Sequence, residues 1–178
     1  MTAPADPRQA AGPPRVSLCV GDESSLGPLA RVLAASLPAT AFLALDGDLG
    51  AGKTTFTKAL AAAAGIDPTD VVSPTFGLVH IHPLPAGHPA EQLVHADLYR
   101  LAGPQDLVEL GWDEIVAGPG WVVAEWATRI ADSLPEERLD VGIVIESETG
   151  RRFEIRCRGV RHRAVIERLR ALPGASID

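Results

Sequence analysis

Asparagine is absent from the 178 residues, and lysine occurs only as Lys53 and Lys58. Without asparagine there is no N-K-x-D element of the kind that reads guanine, so any nucleotide site here favours ATP over GTP. The LSGGQ signature of transport ATPases is also missing. Only two cysteines occur, Cys19 and Cys157, far apart and without metal-ligand spacing; Cys19 lies in an apolar run and is expected to be a reduced, buried thiol. No stretch approaches the ~20 apolar residues needed to cross a bilayer. The segment 1–14 lacks the basic cluster and apolar run of a secretory signal, so a cytoplasmic location with no membrane association is expected.

A hydrophobic share of 46% is ample for one packed domain of this length. The net charge of -7 argues against bulk coating of nucleic acid. Its distribution is uneven: between Arg151 and Arg170 eight arginines stand against Glu154 and Glu167, giving +6 and leaving -13 for the remainder. That basic end reads either as a docking surface for RNA or an acidic partner, or as solvated strand and helix faces.

The Pro/Ala-rich residues 1–14 read as a disordered tail, 15–172 as a single domain, and 173–178 as a C-terminal tail. Apolar runs predict strands at Arg15–Val20, Thr40–Leu45, Gly77–His82, Leu93–Ala96 and Trp121–Ala124, and a hairpin from Val141–Glu146 and Arg152–Cys157. Helical spacing predicts helices at Leu26–Leu37, Lys53–Ala64, Asp106–Val116 and Arg161–Leu172, with HPLPAGHP as a surface loop. Strands alternating with helices, then paired strands, predict an α/β fold: a P-loop NTPase-like three-layer sandwich around a mixed, mainly parallel sheet.

Gly47-Asp48-Leu49-Gly50-Ala51-Gly52-Lys53-Thr54 fits G-x-x-x-x-G-K-[ST] at every defined position, between a buried strand and a helix. Glycines let backbone amides close around phosphates, and the helix N-terminus adds partial positive charge. Lys53 would supply a point charge to the β- and γ-phosphates, and the Thr54 hydroxyl a magnesium ligand. A second metal ligand is normally an acid ending a neighbouring strand. Asp97 and Glu125 both qualify, and the strand before Glu125 is the more apolar. Ser73-Pro74-Thr75-Phe76 follows the first helix after the loop, where a threonine can sense the γ-phosphate through the metal, although a plain Ser-Pro turn fits the same residues. His80 and His82 alternate on one strand and read as an exposed or hydrogen-bonded pair rather than metal ligands. His95 reads as a packing or supporting residue rather than a base.

Taken together, GDLGAGKTTF at 47–56, Ser73-Pro74-Thr75-Phe76, His95-Ala96-Asp97-Leu98-Tyr99-Arg100 and Glu125-Trp126 resemble the TsaE (YjeE) family in order and spacing. Leu107-Val108-Glu109-Leu110-Gly111 and Gly150-Arg151 resemble its weaker signatures. The resemblance covers roughly residues 20–158. It implies an ATPase of low intrinsic turnover serving synthesis of threonylcarbamoyladenosine beside the tRNA anticodon. Its partners would be TsaB and TsaD, with tRNA met only through that complex. By the same resemblance, Asp48 to Thr55 would cradle ATP, Thr54 and Glu125 would hold Mg2+, and Lys53, Asp97, Thr75 and Glu125 would form the hydrolytic machinery. Trp126, Arg151 and Glu23 would lie at the nucleotide. The stretch 23–30 matches the family loosely, the 83–89 loop is long, and the arginine-rich end is not explained by the motifs. A small-molecule kinase on the same loop and a non-catalytic nucleotide-gated adaptor are the alternatives; a kinase lid would need arginines, and only Arg100 and Arg129 lie between the loop and residue 137.

Overall fold

Three short runs, AFLAL, QLVHA and WVVA, are apolar at nearly every position, as strands covered on both faces must be. In the computed structural model, which describes residues 12–74 and 78–177, they form the centre of one sheet. The strands are β1 (Arg15–Val20), β2 (Ala41–Asp46), β3 (Val79–Pro83), β4 (Gln92–Asp97), β5 (Trp121–Glu125), β6 (Arg138–Ile145), β7 (Arg151–Arg158) and β8 (Ala175–Ser176). Their spatial order is β3-β4-β5-β2-β6-β7-β1-β8. The β4-β5-β2-β6 centre is parallel, whereas β3 and the β7-β1-β8 flank pair antiparallel. Five strands (β1, β2, β4, β5, β6) therefore point one way, the mixed α/β sheet that alternation of strands and helices predicts.

The helices are α1 (Gly27–Ser36), α2 (Lys53–Ala63), α3 (Pro104–Leu110), α4 (Trp112–Ala117) and α5 (Arg163–Arg170). Leu29, Leu33, Phe56, Leu60, Ile166 and Leu169 from α1, α2 and α5 pack on one sheet face with Leu43, Val123 and Ile155. On the other, Leu107 and Trp112 join Phe42, Val94 and Val122, together with Ile130 from a 3-10 segment at Ala127–Ser133. That second layer covers β2, β4 and β5 and reaches Val79 at the start of β3. Over β6 and β7 the same face carries Arg138, Asp140, Glu154, Arg156 and Arg158, half-buried or exposed, so three layers thin to two there.

Four expectations change. The helix expected over Asp106–Val116 is two helices, because Gly111 adopts φ 68°, a left-handed conformation that ends α3 and starts α4 in a new direction. Cys19 is exposed rather than buried: in β1 the alternate residues Val16, Leu18 and Val20 face the core, which turns Cys19 outward while Cys157 is buried. The six residues read as a C-terminal tail include Ala175 and Ser176, which pair with Leu18 and Ser17. The strand expected from Gly77 begins at Val79, with Gly77 itself outside the described residues.

The arginine-rich end is largely self-engaged. Arg158 and Arg138 flank Asp140, and Arg152 bridges Glu146 and Glu154. Arg161 donates to Thr40, Arg168 to the Ala35 carbonyl, and Arg170 to the Arg15 carbonyl and Glu167. These side chains staple the antiparallel flank and α5 to the rest of the domain.

Candidate nucleotide site at the carboxyl ends of the central strands

Strand alternation decides which polar residues meet. In β4, Leu93 lies on the α2 side of the sheet and Val94 and Ala96 on the other, so His95 and Asp97 follow Leu93 to the α2 side. Likewise Trp121, Val123 and Glu125 of β5 share that side. Asp97 and Glu125 are register partners at the carboxyl ends of adjacent parallel strands, directly beside the loop that leaves β2. Both carboxylates are buried, 4% and 3% exposed, where an unpartnered charge would be costly.

The loop from Gly47 to Gly52 needs its glycines. Gly47 has φ 149°, and a Cβ there would lie 2.4 Å from the Ile143 carbonyl oxygen. Gly50 and Gly52 have φ 78° and 101°, and Gly52 precedes the first residue of α2. The turn thus aims the opening amides of α2 at one point, the arrangement that suits a phosphate. Asp48 and Leu49 form the exposed crest of the loop, with Leu49 82% exposed, and Ala51 is buried beneath it.

Lys53 is buried, and its Nζ donates to the carbonyls of Gly47 (2.7 Å) and Asp48 (3.0 Å). The same ammonium lies 3.6 Å from the centre of the Trp126 ring. Burial pushes the Lys53 pKa down, opposed by Glu125, Asp46, Asp97 and Asp48 around it. Trp126 takes a left-handed backbone, φ 60°, immediately after β5, and its ring packs tilted against Tyr99, with centroids 5.0 Å apart.

Thr54 donates to Glu125 Oε1 at 2.8 Å, and His95 Nε2 meets the same oxygen at 2.7 Å. A hydroxyl and a carboxylate in contact are hard oxygen donors of the kind magnesium selects. Asp97 is held by Ser73 Oγ on Oδ2 (3.0 Å) and by the Tyr99 amide on Oδ1 (3.1 Å). Thr75 lies outside the described residues. Asp46, at the end of β2, accepts from the amide and hydroxyl of Thr128, which ties the base of the loop to the turn beyond Glu125.

Beside the loop opens a cleft of about 440 Å³, lined in part by Glu23, Gly50, Gly52, Thr55, Thr149 and Arg151. Asp22 caps the 3-10 turn at Glu23–Leu26, accepting from the Ser25 amide, and so sets the wall on which Glu23 is exposed. Arg151 closes the opposite side: its guanidinium donates to Ala51 O (3.0 Å) in the loop and to Ser147 O and Gly150 O in the hairpin turn. The structure therefore gathers the sequence-predicted residues into two adjoining groups. Lys53, Thr54, Asp97, Glu125 and Trp126 lie at the strand ends, and Gly50, Ala51, Gly52, Thr55, Glu23 and Arg151 lie around the cleft. Sequence reading missed the Asp46–Thr128 link, the Ser73 and Tyr99 supports of Asp97, and Thr149. Asp46 carried one signal, a carboxylate ending the same kind of apolar run as Asp97 and Glu125.

Comparison with known proteins points to one family. The family model described as "Threonylcarbamoyl adenosine biosynthesis protein TsaE" matches residues 20–153. The chain is 37% identical over 142 residues to the tRNA threonylcarbamoyladenosine biosynthesis protein TsaE of Bacillus subtilis, covering 79% of this chain and 85% of that one. The protein of the same name from Streptomyces coelicolor is 38% identical over 115 residues, 65% of this chain and 76% of its own length. The crystal structure of Bacillus subtilis YdiB superposes with a TM-score of 0.71 at 29% identity, over 90% of this chain and 97% of that one. With three quarters of its length matched and the loop, paired acids and cleft in place, the chain belongs to the TsaE family.

Proposed function

We propose that the protein is a magnesium-dependent ATPase in tRNA threonylcarbamoyladenosine biosynthesis, acting with TsaB and TsaD and meeting tRNA through them. The observation that carries the reading is the contact of Thr54, at the start of α2, with Glu125, beside Asp97 in register and next to a glycine loop that only small residues allow. The opening amides of α2 and the Lys53 ammonium hold the β- and γ-phosphates, Lys53 by exchanging its bonds to Gly47 O and Asp48 O for phosphate oxygens. Thr54 Oγ1 and Glu125 would be the protein ligands for magnesium, which would supply positive charge to neutralise the phosphates. Asp97, fixed through both carboxylate oxygens, orients the attacking water and accepts its proton. Thr75 senses the γ-phosphate. The nucleoside occupies the cleft between Glu23 and Arg151, with Trp126 over the phosphate end.

Arg129 donates to Leu101 O and lies 5.7 Å over the Tyr99 ring, which favours a structural role for it over that of a kinase lid. The experiment is calorimetric titration with ATP and MgCl2, followed by phosphate release with and without TsaB and TsaD. Binding that requires magnesium and turnover that rises with both partners are expected. Absence of ATP binding ends the reading at its first step. Single-turnover hydrolysis by Asp97→Ala at the wild-type rate removes Asp97 from the machinery.

A further inference from the structure

His95 is fully buried. Its Nε2 lies 2.7 Å from Glu125 Oε1, and its Nδ1 is buried with no hydrogen-bond partner among the described residues. A carboxylate only accepts, so Nε2 carries a hydrogen, and Nδ1 is a buried polar atom left unmet. An unmet buried polar atom is destabilising. Leucine or phenylalanine would occupy the same buried position on the α2 side of the sheet without that cost, so packing does not explain a histidine here. What the imidazole adds is one directed N–H, and that N–H ends on the carboxylate that contacts Thr54.

The second observation is which oxygen is used. Thr54 and His95 both donate to Oε1, from α2 and from β4 respectively. Two donors converging from different elements fix the plane of the carboxylate, because rotation about its terminal bond would break both at once. Among the described residues no hydrogen bond reaches Oε2, which leaves it for another ligand.

From this we propose that His95 is a positioning residue for magnesium: it holds Glu125 Oε1 so that the carboxylate keeps Oε2 in place for the metal beside Thr54. The inference rests on the function proposed above and adds a residue to it. Partners that orient metal-binding carboxylates in this way typically contribute about 10–100-fold in metal affinity.

Four proteins test it: wild type, His95→Leu, His95→Gln and His95→Asn. Glutamine places an amide N–H near the position of Nε2, whereas asparagine is too short to reach Glu125. Calorimetric titration with ADP is run in EDTA and at a series of MgCl2 concentrations, which gives metal dependence without turnover. His95→Leu and His95→Asn are expected to raise the magnesium concentration for half-maximal effect about 10–100-fold, with ADP affinity in EDTA unchanged. His95→Gln is expected to stay within a few-fold of wild type. Should His95→Leu fail to fold, the comparison of Gln with Asn carries the test. Equal magnesium dependence in Gln and Asn, or a loss of ADP affinity in EDTA that matches the loss in magnesium, overturns the proposal. Wild-type ADP binding that ignores magnesium overturns the proposed function and this inference with it. A magnesium-responsive wild type beside unaltered variants overturns the inference alone.

Discussion

His162 offers a sharp test of how the closing helix is held. It is fully buried at the start of α5, with neither ring nitrogen hydrogen-bonded among the described residues. Burial holds its pKa below 6.5, reinforced by Arg161 and opposed by Glu137. The unfolded chain therefore binds a proton near pH 6.5 that the folded protein refuses. Stability is full above pH 6.5 and falls as pH drops from there towards the folded pKa, by at most about 1.4 kcal/mol per pH unit for this one group. Replacing His162 with leucine, of similar size, removes both the proton linkage and two unmet polar atoms. Each such atom costs about 1–3 kcal/mol when desolvated, partly offset by imperfect packing of the new side chain. The His162→Leu protein is expected to be more stable by about 1–3 kcal/mol at pH 7.5, a rise of roughly 2–12 °C in Tm for a chain of this size. Urea unfolding at pH 5.0 to 8.0 measures both effects. Because burial also lowers the pKa of His82, the wild-type-minus-variant difference, rather than the wild-type slope, isolates His162. A difference that does not grow as pH falls below 6.5, or a variant less stable than wild type, refutes the reasoning.

Three further outcomes are expected. Gly47→Ala places a methyl 2.4 Å from Ile143 O, a backbone atom that cannot swing aside, so the loop must shift; a loss of more than about 2 kcal/mol in urea unfolding, together with loss of ATP binding, follows. Arg151→Ala removes the bond that joins the hairpin turn to Ala51, and ATP affinity by calorimetry should fall about 5–30-fold while Tm changes little; unchanged affinity would detach Arg151 from the cleft. Phe153→Ala deletes a fully buried ring that packs 5.5 Å from Phe56 beneath the loop, and a loss of about 3–5 kcal/mol in urea unfolding is expected.

The phosphate loop and the acids Asp97 and Glu125 were legible because each belongs to a local pattern: a glycine spacing, or an apolar run ending in a carboxylate. The β4-β5 pairing that sets those acids side by side was not, since parallel register is fixed by packing between elements distant in the chain. The same limit hid the bond from His95 to Glu125, thirty positions apart. Gly111 was visible as a glycine but not as a break, because the pattern on either side of it stays helical. Cys19 shows the opposite failure: in a run as apolar as RVSLCV, residue type suggests burial everywhere, and only the pairing of β1 with β7 decides which side chains face out.

The Lys53 ammonium is satisfied within the protein, by two carbonyls on one side and an indole on the other. An anion entering the turn must compete with those contacts before it collects the lysine's charge. Arrival is thus an exchange, with the displaced carbonyls waiting nearby to take the cation back. The charge that such an anion gains is therefore offset by the contacts that it displaces, so the turn holds it less tightly than a free ammonium would.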